Sequence, residues 1–427
     1  MEKISRDNFY QQIAFGLLAL AAATVTFTRF LMLPIAILLL LLYVADNRYS
    51  THFQSIRKHH LSIPFGITLS LFLLCMVGTA YSANIPKAVS DWECKLWFLV
   101  APLCLLPLTG KISLKRIHIL LIVFCLSATA TAIGNIVTST ANFSQSGDTG
   151  QFFYMNAGHF FWLKPTHPSY LSMYCAIAWV ISIILLTGKK KELPKGVFAA
   201  LIAAAVILPA EIILLQSKAG VMLFAIVFLC TLYTVVRRSK LPRWVGPVLL
   251  VLSAALCAAA THLDLLPVNR LGTLRQHLQA DERANPYNGS LQRIAVWETA
   301  CEAASDHLPF GTGTGDISDE LCQRYEQKGY TYILDKRLNC HNQYLQHLVG
   351  LGIPGILALL LFIGIPLWEG IRKKDFLLGI WGVLVAGNLL VESMLETRAG
   401  SNFIPMMTML LLMHERAHAV NGSMDTE

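Results

Sequence analysis

The sequence is poor in charge and lacks several motifs that commonly hold ligands. Asp, Glu, Lys and Arg together make up 14% of its 427 residues, compared with about 25% in soluble domains. It contains no Asp-x-Asp, no phosphate-binding Gly-x-x-x-x-Gly-Lys loop and no pair of cysteines at zinc-finger spacing. These absences argue against a metal-dependent site, and we expect no cofactor.

Apolar residues, by contrast, make up 55% of the chain, in runs that recur along its whole length. A helix needs about 20 such residues to cross the roughly 30 Å hydrocarbon core of a membrane, and only helices keep every backbone group paired there. We therefore predict an all-α polytopic membrane protein with about 12 transmembrane helices. Residues 1–261 are predicted to hold helices 1–9, residues 262–341 a polar loop, and residues 342–427 helices 10–12 and a tail.

Lys and Arg residues concentrate in alternate connections between the apolar runs, which sets the predicted orientation. The basic connections include Arg57-Lys58, Lys115-Arg116, Lys189-Lys190-Lys191, Arg237-Arg238 and Arg372-Lys373-Lys374. This side is predicted to be cytoplasmic and to hold both termini. The net charge of +8 then reflects topology, and no nucleic-acid partner is expected.

The polar loop has the pattern of a small helical lid over the external membrane face. A helix is predicted from Leu291 to Ser305, with Ile294, Trp297, Cys301 and Ala304 on one apolar stripe and Arg293 beside it. The stretch 309–315 breaks this helix, and a second helix is predicted to end at Gly329. Of the ten cysteines, Cys301, Cys322 and Cys340 lie in the loop, and in an oxidising compartment two of them are predicted to pair, Cys301 with Cys322.

The lid ends in the segment Arg337-Leu338-Asn339-Cys340-His341-Asn342-Gln343-Tyr344-Leu345-Gln346, just before an apolar helix. A histidine titrates near neutrality and can take a proton from a hydroxyl, and neighbouring amides can orient a sugar. His341 is therefore the predicted catalytic residue. The simpler alternative is a histidine that is hydrogen-bonded at a helix start.

Two cations on the external face are predicted to bind an anionic substrate. Lys218 lies in a tight turn between two apolar runs, where it can bind an anion beside the free amides of a helix start or simply snorkel. Glu211, two turns earlier, is either its partner or a satisfied intramembrane acid. Arg293 on the first lid helix can form a bidentate contact with a phosphate or can be a solvated surface residue.

Two further residues complete the predicted substrate-binding set. His167 precedes the sixth predicted transmembrane helix and is either a substrate ligand or an interfacial residue. Arg398 lies in the last external turn, beside Glu392 and Glu396. These two acids are predicted to share one face of a helix, either as functional intramembrane acids or as partners of Arg398.

Taken together, these motifs resemble the O-antigen ligase family of bacterial membrane glycosyltransferases. The resemblance rests on the Ser217-Lys218 turn, Arg293 through Trp297, the turn at 309–313, and His341 through Gln346 followed by 350–355. The stretch 392–403 is similar to the C-terminal signature of that family. The matching motifs extend from residue 201 to the end of the chain.

This resemblance implies a GT-C-like glycosyltransferase with a periplasmic lid, in the bacterial inner membrane. Its expected partners are membrane lipids, an undecaprenyl-diphosphate-linked glycan as donor and a lipid A-core sugar hydroxyl as acceptor. The expected reaction transfers the glycan to that hydroxyl without a metal and with inversion, as a step of lipopolysaccharide biosynthesis. The family's periplasmic histidine maps onto His341 and its lid arginine onto Arg293. Its turn arginine falls at Lys218, a departure that keeps the charge but loses the planar fork.

Three alternatives remain at this point. Polysaccharide polymerases and protein O-oligosaccharyltransferases share this type of motif and differ in the acceptor. A transporter, the distant alternative, would carry charged residues near the middle of several spans and interrupted helices in matched halves. Here the polar residues collect at one face under a lid, which favours an enzyme.

Overall fold

The computed structural model describes residues 6–28, 30–159, 166–188, 193–238 and 289–424. Within these ranges every regular element is helical. In chain order the helices are α1 (Arg6–Thr24), α2 (Met32–Asp46), α3 (Tyr49–Lys58), α4 (Ser62–Ala80), α5 (Ile85–Cys94), α6 (Trp97–Val100, continued by irregular turns to Leu108), α7 (Leu114–Ser146), α8 (Pro168–Gly188), α9 (Lys195–Leu214), α10 (Lys218–Arg238), α11 (Gly289–Asp306), α12 (Ile317–Gln327), α13 (Thr331–Asp335), α14 (Gln343–Lys373), α15 (Phe376–Val391) and α16 (Arg398–Met424). Short 3-10 turns lie at Thr149–Phe152, Asn156–Gly158 and Met394–Glu396.

Six of the described helices are long and apolar enough to cross a membrane, namely α4, α7, α8, α9, α10 and α14. The pair α2 and α3, bent by 106°, would add a seventh. The all-helical membrane class is therefore confirmed for the described residues, but the predicted count of twelve spans is not. The segment 96–108 and α15 are apolar but shorter, and the predicted ninth span, at 244–261, lies outside the described residues.

Contacts divide the chain into two compact units, Met1–Val123 with Arg283–Glu427, and Phe124–Glu282. In the first unit α14 packs against α15 and α4, and α11 packs against α14. In the second unit α8 packs against α9 and α10. Asn135 of α7 donates a hydrogen bond of 2.7 Å to Oε1 of the buried Glu211, whereas Oε2 of Glu211 has no hydrogen-bond partner among the described residues.

The described part of the predicted lid, residues 289–341, folds as three helices around a small core that Val349 of α14 completes. Its first helix begins and ends within two residues of the prediction. The predicted stripe is confirmed only in part: Ala304 is buried and Trp297 packs against the core, whereas Ile294 is 39% exposed and Cys301 is exposed. The predicted disulfide is wrong: Cys301 and Cys322 are free thiols.

The glycine-rich turn at 309–315 joins the predicted lid segment to α14. The amide of Thr312 donates to the carbonyl of Val349 at 2.8 Å, and the amide of Gly313 donates to Gly350 at 3.0 Å. Gly352, with φ +61°, opens a kink in α14, and a Cβ there would overlap the Pro309 carbonyl. The turn is therefore a backbone packing contact that fixes the lid on α14.

Candidate active site

His341 lies in the loop between the lid and α14, in a backbone conformation rare for a side-chain-bearing residue. Its φ is +43°, in the left-handed region. Its amide donates to Asn339 Oδ1 at 3.0 Å, and Asn342 then caps α14 by accepting from the amides of Tyr344 and Leu345. The cap fixes where the helix starts, directly after a residue held in a strained backbone conformation.

The imidazole of His341 forms an ion-pair-type contact with a residue far along the chain. Nδ1 lies 3.0 Å from Glu392 Oε1, and the side chains are 25% and 7% exposed, respectively. An ionised carboxylate can only accept hydrogen bonds, so beside an ionised Glu392 the Nδ1 atom donates, and a neutral imidazole in that tautomer has the lone pair of Nε2 available. A carboxylate that holds the tautomer and orientation of a histidine is the arrangement of a general base.

Arg293 of α11 lies on the other side of the same carboxylate. Its guanidinium is 3.8 Å from Glu392 Oε2, and its side chain is 35% exposed. Within the described residues its Nε is buried without an acceptor, as is Nε1 of Trp297 one turn further along α11. Buried donors are nearly always paired, so these two suggest a ligand that supplies oxygen atoms.

The amide side chains after His341 do not line an open site. Asn342, Gln343 and Gln346 are all buried. Gln343 accepts from the amide of Leu395 at 2.6 Å and donates to Glu396 Oε1 at 2.9 Å, and the amide of Asn342 donates to Ser393 Oγ at 3.1 Å. The expectation that these amides orient a sugar is wrong: the side chain of Gln343 binds the start of α14 to the turn after α15, and that of Gln346 accepts from the amide of Cys340 at 3.2 Å.

Beneath that turn lies an ionic cluster that the sequence reasoning missed. Lys95 Nζ contacts Asp91 Oδ1 at 2.5 Å and Glu396 Oε1 at 3.2 Å. Burial acts to lower the pKa of Lys95, but the two carboxylates raise it well above its usual value. Burial also acts to raise the pKa of Glu396, but the charge of Lys95 opposes this effect, and the pKa of Glu396 lies below its usual range. The only sequence signal was the spacing of Asp91 and Lys95, four apart at a helix end.

Asp91 gives this cluster a pH dependence. Burial raises its pKa from 3.8 to about 7, against the opposing charge of Lys95. The folded chain therefore holds this proton more tightly than the unfolded chain, and the resulting stability is full below about pH 3.8 and lost as the pH rises through about 7. We expect the unfolding temperature of the wild type in detergent to fall more between pH 5 and pH 8 than that of Asp91→Asn. Parallel curves would contradict this, and Asp335→Asn, at an exposed position, should follow the wild type.

Glu392 and Glu396 do not share a helical face as predicted. The helix α15 ends at Val391, and Glu392 is extended with φ −152°, so the two carboxylates reach different partners. Arg398 pairs with a different acid: its guanidinium donates to Glu93 Oε1 at 2.8 Å, with both side chains about two-fifths exposed. Its predicted contact with substrate stays a prediction.

Lys218 and His167 belong to the second unit, and their roles in binding also stay predictions. Lys218 begins α10 after the turn residue Gln216, with φ +47°. Ser217 accepts from the amide of Gly220 at 3.2 Å, which is the cap expected at a helix start. The His167 carbonyl accepts from the first amides of α8, and its ring meets Tyr170 edge-on, with centroids 5.8 Å apart.

One histidine pair does have a metal-ligand spacing. His414-Glu415-Arg416-Ala417-His418 matches His-Glu-x-x-His on a helix. In the structure Glu415 is bound by Arg416, and His414 Nε2 lies 3.3 Å from His118 Nε2. In the part of the chain that the structure describes, no three His, Cys, Asp or Glu side chains are arranged to hold a metal ion.

Comparison with known families adds one finding. Residues 202–360 match the protein-family model described as O-Antigen ligase. This region contains Lys218, Arg293 and His341, whereas Glu392 and Arg398 lie beyond it. No curated protein sequence matches the chain.

Proposed function

The chain belongs to the O-antigen ligase family through residues 202–360, and from this premise we propose that it joins O-antigen glycan to the lipid A core. The donor in this proposal is undecaprenyl-diphosphate-linked glycan, and the acceptor is a sugar hydroxyl of the core. The family match alone supports the coarser function, an O-antigen ligase or polymerase. The observation that supports the proposed glycosyl transfer is His341 held by Glu392 at 3.0 Å, with Arg293 3.8 Å from the second carboxylate oxygen, and the choice of acceptor rests on the resemblance to the ligases.

The reaction needs a base and a cationic leaving-group site. His341 Nε2 takes the proton of the acceptor hydroxyl as its oxygen attacks the anomeric carbon. The bond from that carbon to the diphosphate oxygen breaks, and the electron pair leaves with undecaprenyl diphosphate. Attack opposite the leaving group inverts the anomeric configuration. Cationic side chains stabilise the charge that develops on the diphosphate, so the proposal requires no metal.

Arg293 is proposed as the main diphosphate ligand from the lid. It is partly exposed, and its buried Nε and the nearby Trp297 Nε1 are donors with no acceptor among the described residues. A diphosphate oxygen would satisfy such donors, and a guanidinium binds it with a planar fork. The contact with Glu392 at 3.8 Å is long for a hydrogen bond, so the arginine can turn towards substrate without breaking a short pair.

Replacing Arg293 with alanine is expected to raise the KM for the lipid-linked donor by about 10- to 100-fold, which corresponds to one lost charged hydrogen bond of about 1.5–3 kcal/mol. Arg293→Lys should raise the KM for the donor less than Arg293→Ala, because lysine keeps the positive charge but lacks the planar guanidinium fork. Arg337→Ala is the matched control, a lid arginine paired with the exposed Asp319. Equal donor KM values for Arg293→Ala and Arg337→Ala would contradict the role.

Lys218 is proposed as a second cation for the diphosphate. Since the family resemblance places an arginine here, Lys218→Arg should keep or raise the transfer rate, whereas Lys218→Ala should lower it by about tenfold or more, as for a lost charged contact. Initial rates at limiting donor would measure both. If arginine is as damaging as alanine, the site does not use the charge, and a packing role at the start of α10 is the better explanation.

The proposed function is tested by reconstitution of the purified chain with lipid-linked glycan, lipid A-core and excess EDTA. Transfer of glycan to lipid A-core, seen as a lipopolysaccharide ladder, is the expected result. If the glycan instead lengthens on its lipid carrier while the core stays bare, the chain is a polymerase. If EDTA abolishes the ladder and Mg²⁺ restores it, the metal-free mechanism is wrong.

The proposed setting is the inner membrane, with the active site at the periplasmic face and both termini in the cytoplasm. The distribution of Lys and Arg supports this orientation. His341 lies at the start of α14, and the basic residues Arg372 and Lys373 lie in its last turn. A single helix therefore carries the candidate base at one end and part of the basic face at the other.

A further inference from the structure

A cavity of about 650 Å³ lies at the end of α14 opposite to His341. Its walls come from the junction of α3 with α4, the last turns of α14, and the end of α16 within the described residues. Four cationic side chains line it, namely Lys58, Arg372, Lys373 and Arg416. All of these elements belong to the first compact unit.

The cavity is built on a buried ionic framework. Arg416 and Glu369 are buried, and Arg416 Nη2 lies 3.1 Å from Glu369 Oε2. Arg416 Nε also donates to the His59 carbonyl at 3.0 Å, which fixes the α3–α4 junction against α16. Arg372 donates to the same Glu369 at 2.9 Å. The framework thus has a defined geometry, unlike a set of independent surface lysines.

The charges in and around the cavity do not cancel. Glu369 and Glu415 are the carboxylates that these cations contact. Four cations against two carboxylates leave an excess of two positive charges. Lys58 is exposed and forms no ion pair with any described residue, and Lys373 reaches Glu415 only at 3.9 Å. These two lysines are therefore the groups most able to take an anionic ligand.

The cavity also has an apolar edge. Ile63 at the start of α4 is 72% exposed and Trp368 of α14 is 66% exposed, and both line the cavity. The helices α4 and α14 are both candidate membrane spans, so this edge lies where acyl chains meet headgroups. A tryptophan at such a boundary is an interfacial anchor.

We propose that this cavity binds the headgroup of an anionic phospholipid, with its acyl chains along Ile63 and Trp368. Basic pockets between membrane helices on the cytoplasmic side bind such headgroups, and the excess of two charges matches the two phosphates of cardiolipin. A free phosphate would use the cations but not the apolar edge. The proposal needs only that the chain lies in a membrane, and it does not depend on the proposed transfer reaction.

The test is a binding titration of the purified full chain with cardiolipin and with phosphatidylcholine, read by native mass spectrometry. We expect one cardiolipin per chain, bound at least about tenfold more tightly than phosphatidylcholine, as for one charged contact. Lys58→Gln with Lys373→Gln should remove that preference, and Lys58→Arg with Lys373→Arg should keep it. Arg57→Gln with Lys374→Gln is the matched control, because it makes the same charge change in the same two segments outside the cavity lining.

Three results would overturn the proposal. Equal affinity for the two lipids would show that charge does not select the ligand. Equal losses in the two glutamine double variants would show a general surface attraction rather than a site. Complete displacement of cardiolipin by excess inorganic phosphate would show a soluble-anion site. Circular dichroism of each variant separates lost binding from lost folding, and the arginine double variant tests the site even if the glutamine variant unfolds.

Discussion

Replacing His341 with alanine is expected to lower the rate of glycan transfer by about 10²- to 10⁴-fold, the usual contribution of a positioned general base. The fall should appear in kcat, while the KM of the lipid-linked donor changes little, because in this mechanism His341 acts on the acceptor hydroxyl. Initial rates of ladder formation with both substrates varied would measure the two parameters. His307→Ala is the matched control, a half-exposed lid histidine that pairs with Glu320.

The geometry allows a sharper test through Glu392. If this carboxylate acts by holding the His341 tautomer, Glu392→Gln should lower kcat in the wild type but cost little more in the His341→Ala background, since residues acting as a unit are not additive. If Glu392→Gln instead lowers kcat by the same factor in the wild type and in the His341→Ala background, Glu392 contributes in another way. A His341→Ala enzyme with wild-type kcat would remove the base from the mechanism altogether.

The sequence was sufficient for features that depend on local pattern. The lid helix α11, predicted from Leu291 to Ser305, is found at Gly289–Asp306. Its ends could be predicted because consecutive residues mark them, a capping residue at the start and a proline-glycine break after the end. The side it buries was predicted only in part, since Ala304 is buried as expected but Ile294 is exposed, and the small Ala295 and Ala300 are buried in its place. A hydrophobicity pattern does not show which face a neighbouring helix will cover.

The sequence was not sufficient for the partners of the candidate base. His341 and Glu392 are 51 residues apart and meet only because α14 and α15 pack side by side. The helix pattern continued past Val391, so Glu392 and Glu396 were placed on one face, whereas the chain turns there. Lys95 was unrecognised for the same reason, because its second partner, Glu396, comes from the other end of the chain.

Replacing Lys95 with methionine is expected to lower the free energy of unfolding by about 3–5 kcal/mol, the usual cost of leaving a buried charge without its partner. The side chains of Lys95 and Asp91 are 6% and 7% exposed and that of Glu396 is 16% exposed, so water cannot replace the lost cation. Unfolding by SDS in mixed micelles would measure the change. Lys87→Met, at an exposed position on α5, should stay close to the wild type.

The same substitution should also affect catalysis, because the cluster holds the turn that positions Glu392. Glu396 accepts from Gln343, and Gln343 accepts from the amide of Leu395, so a displaced Glu396 loosens the link between α14 and the residues beside the base. Adding Asp91→Asn and Glu396→Gln to Lys95→Met removes the two buried carboxyl groups that lack a cation once Lys95 is replaced, and it should restore most of the stability. It should restore less of the transfer rate, since only the native ion pair fixes Glu396 where Gln343 can bind it. If the triple variant recovers both the transfer rate and the stability, the ionic cluster only stabilises the fold, and Glu392 orients His341 without a contribution from the cluster.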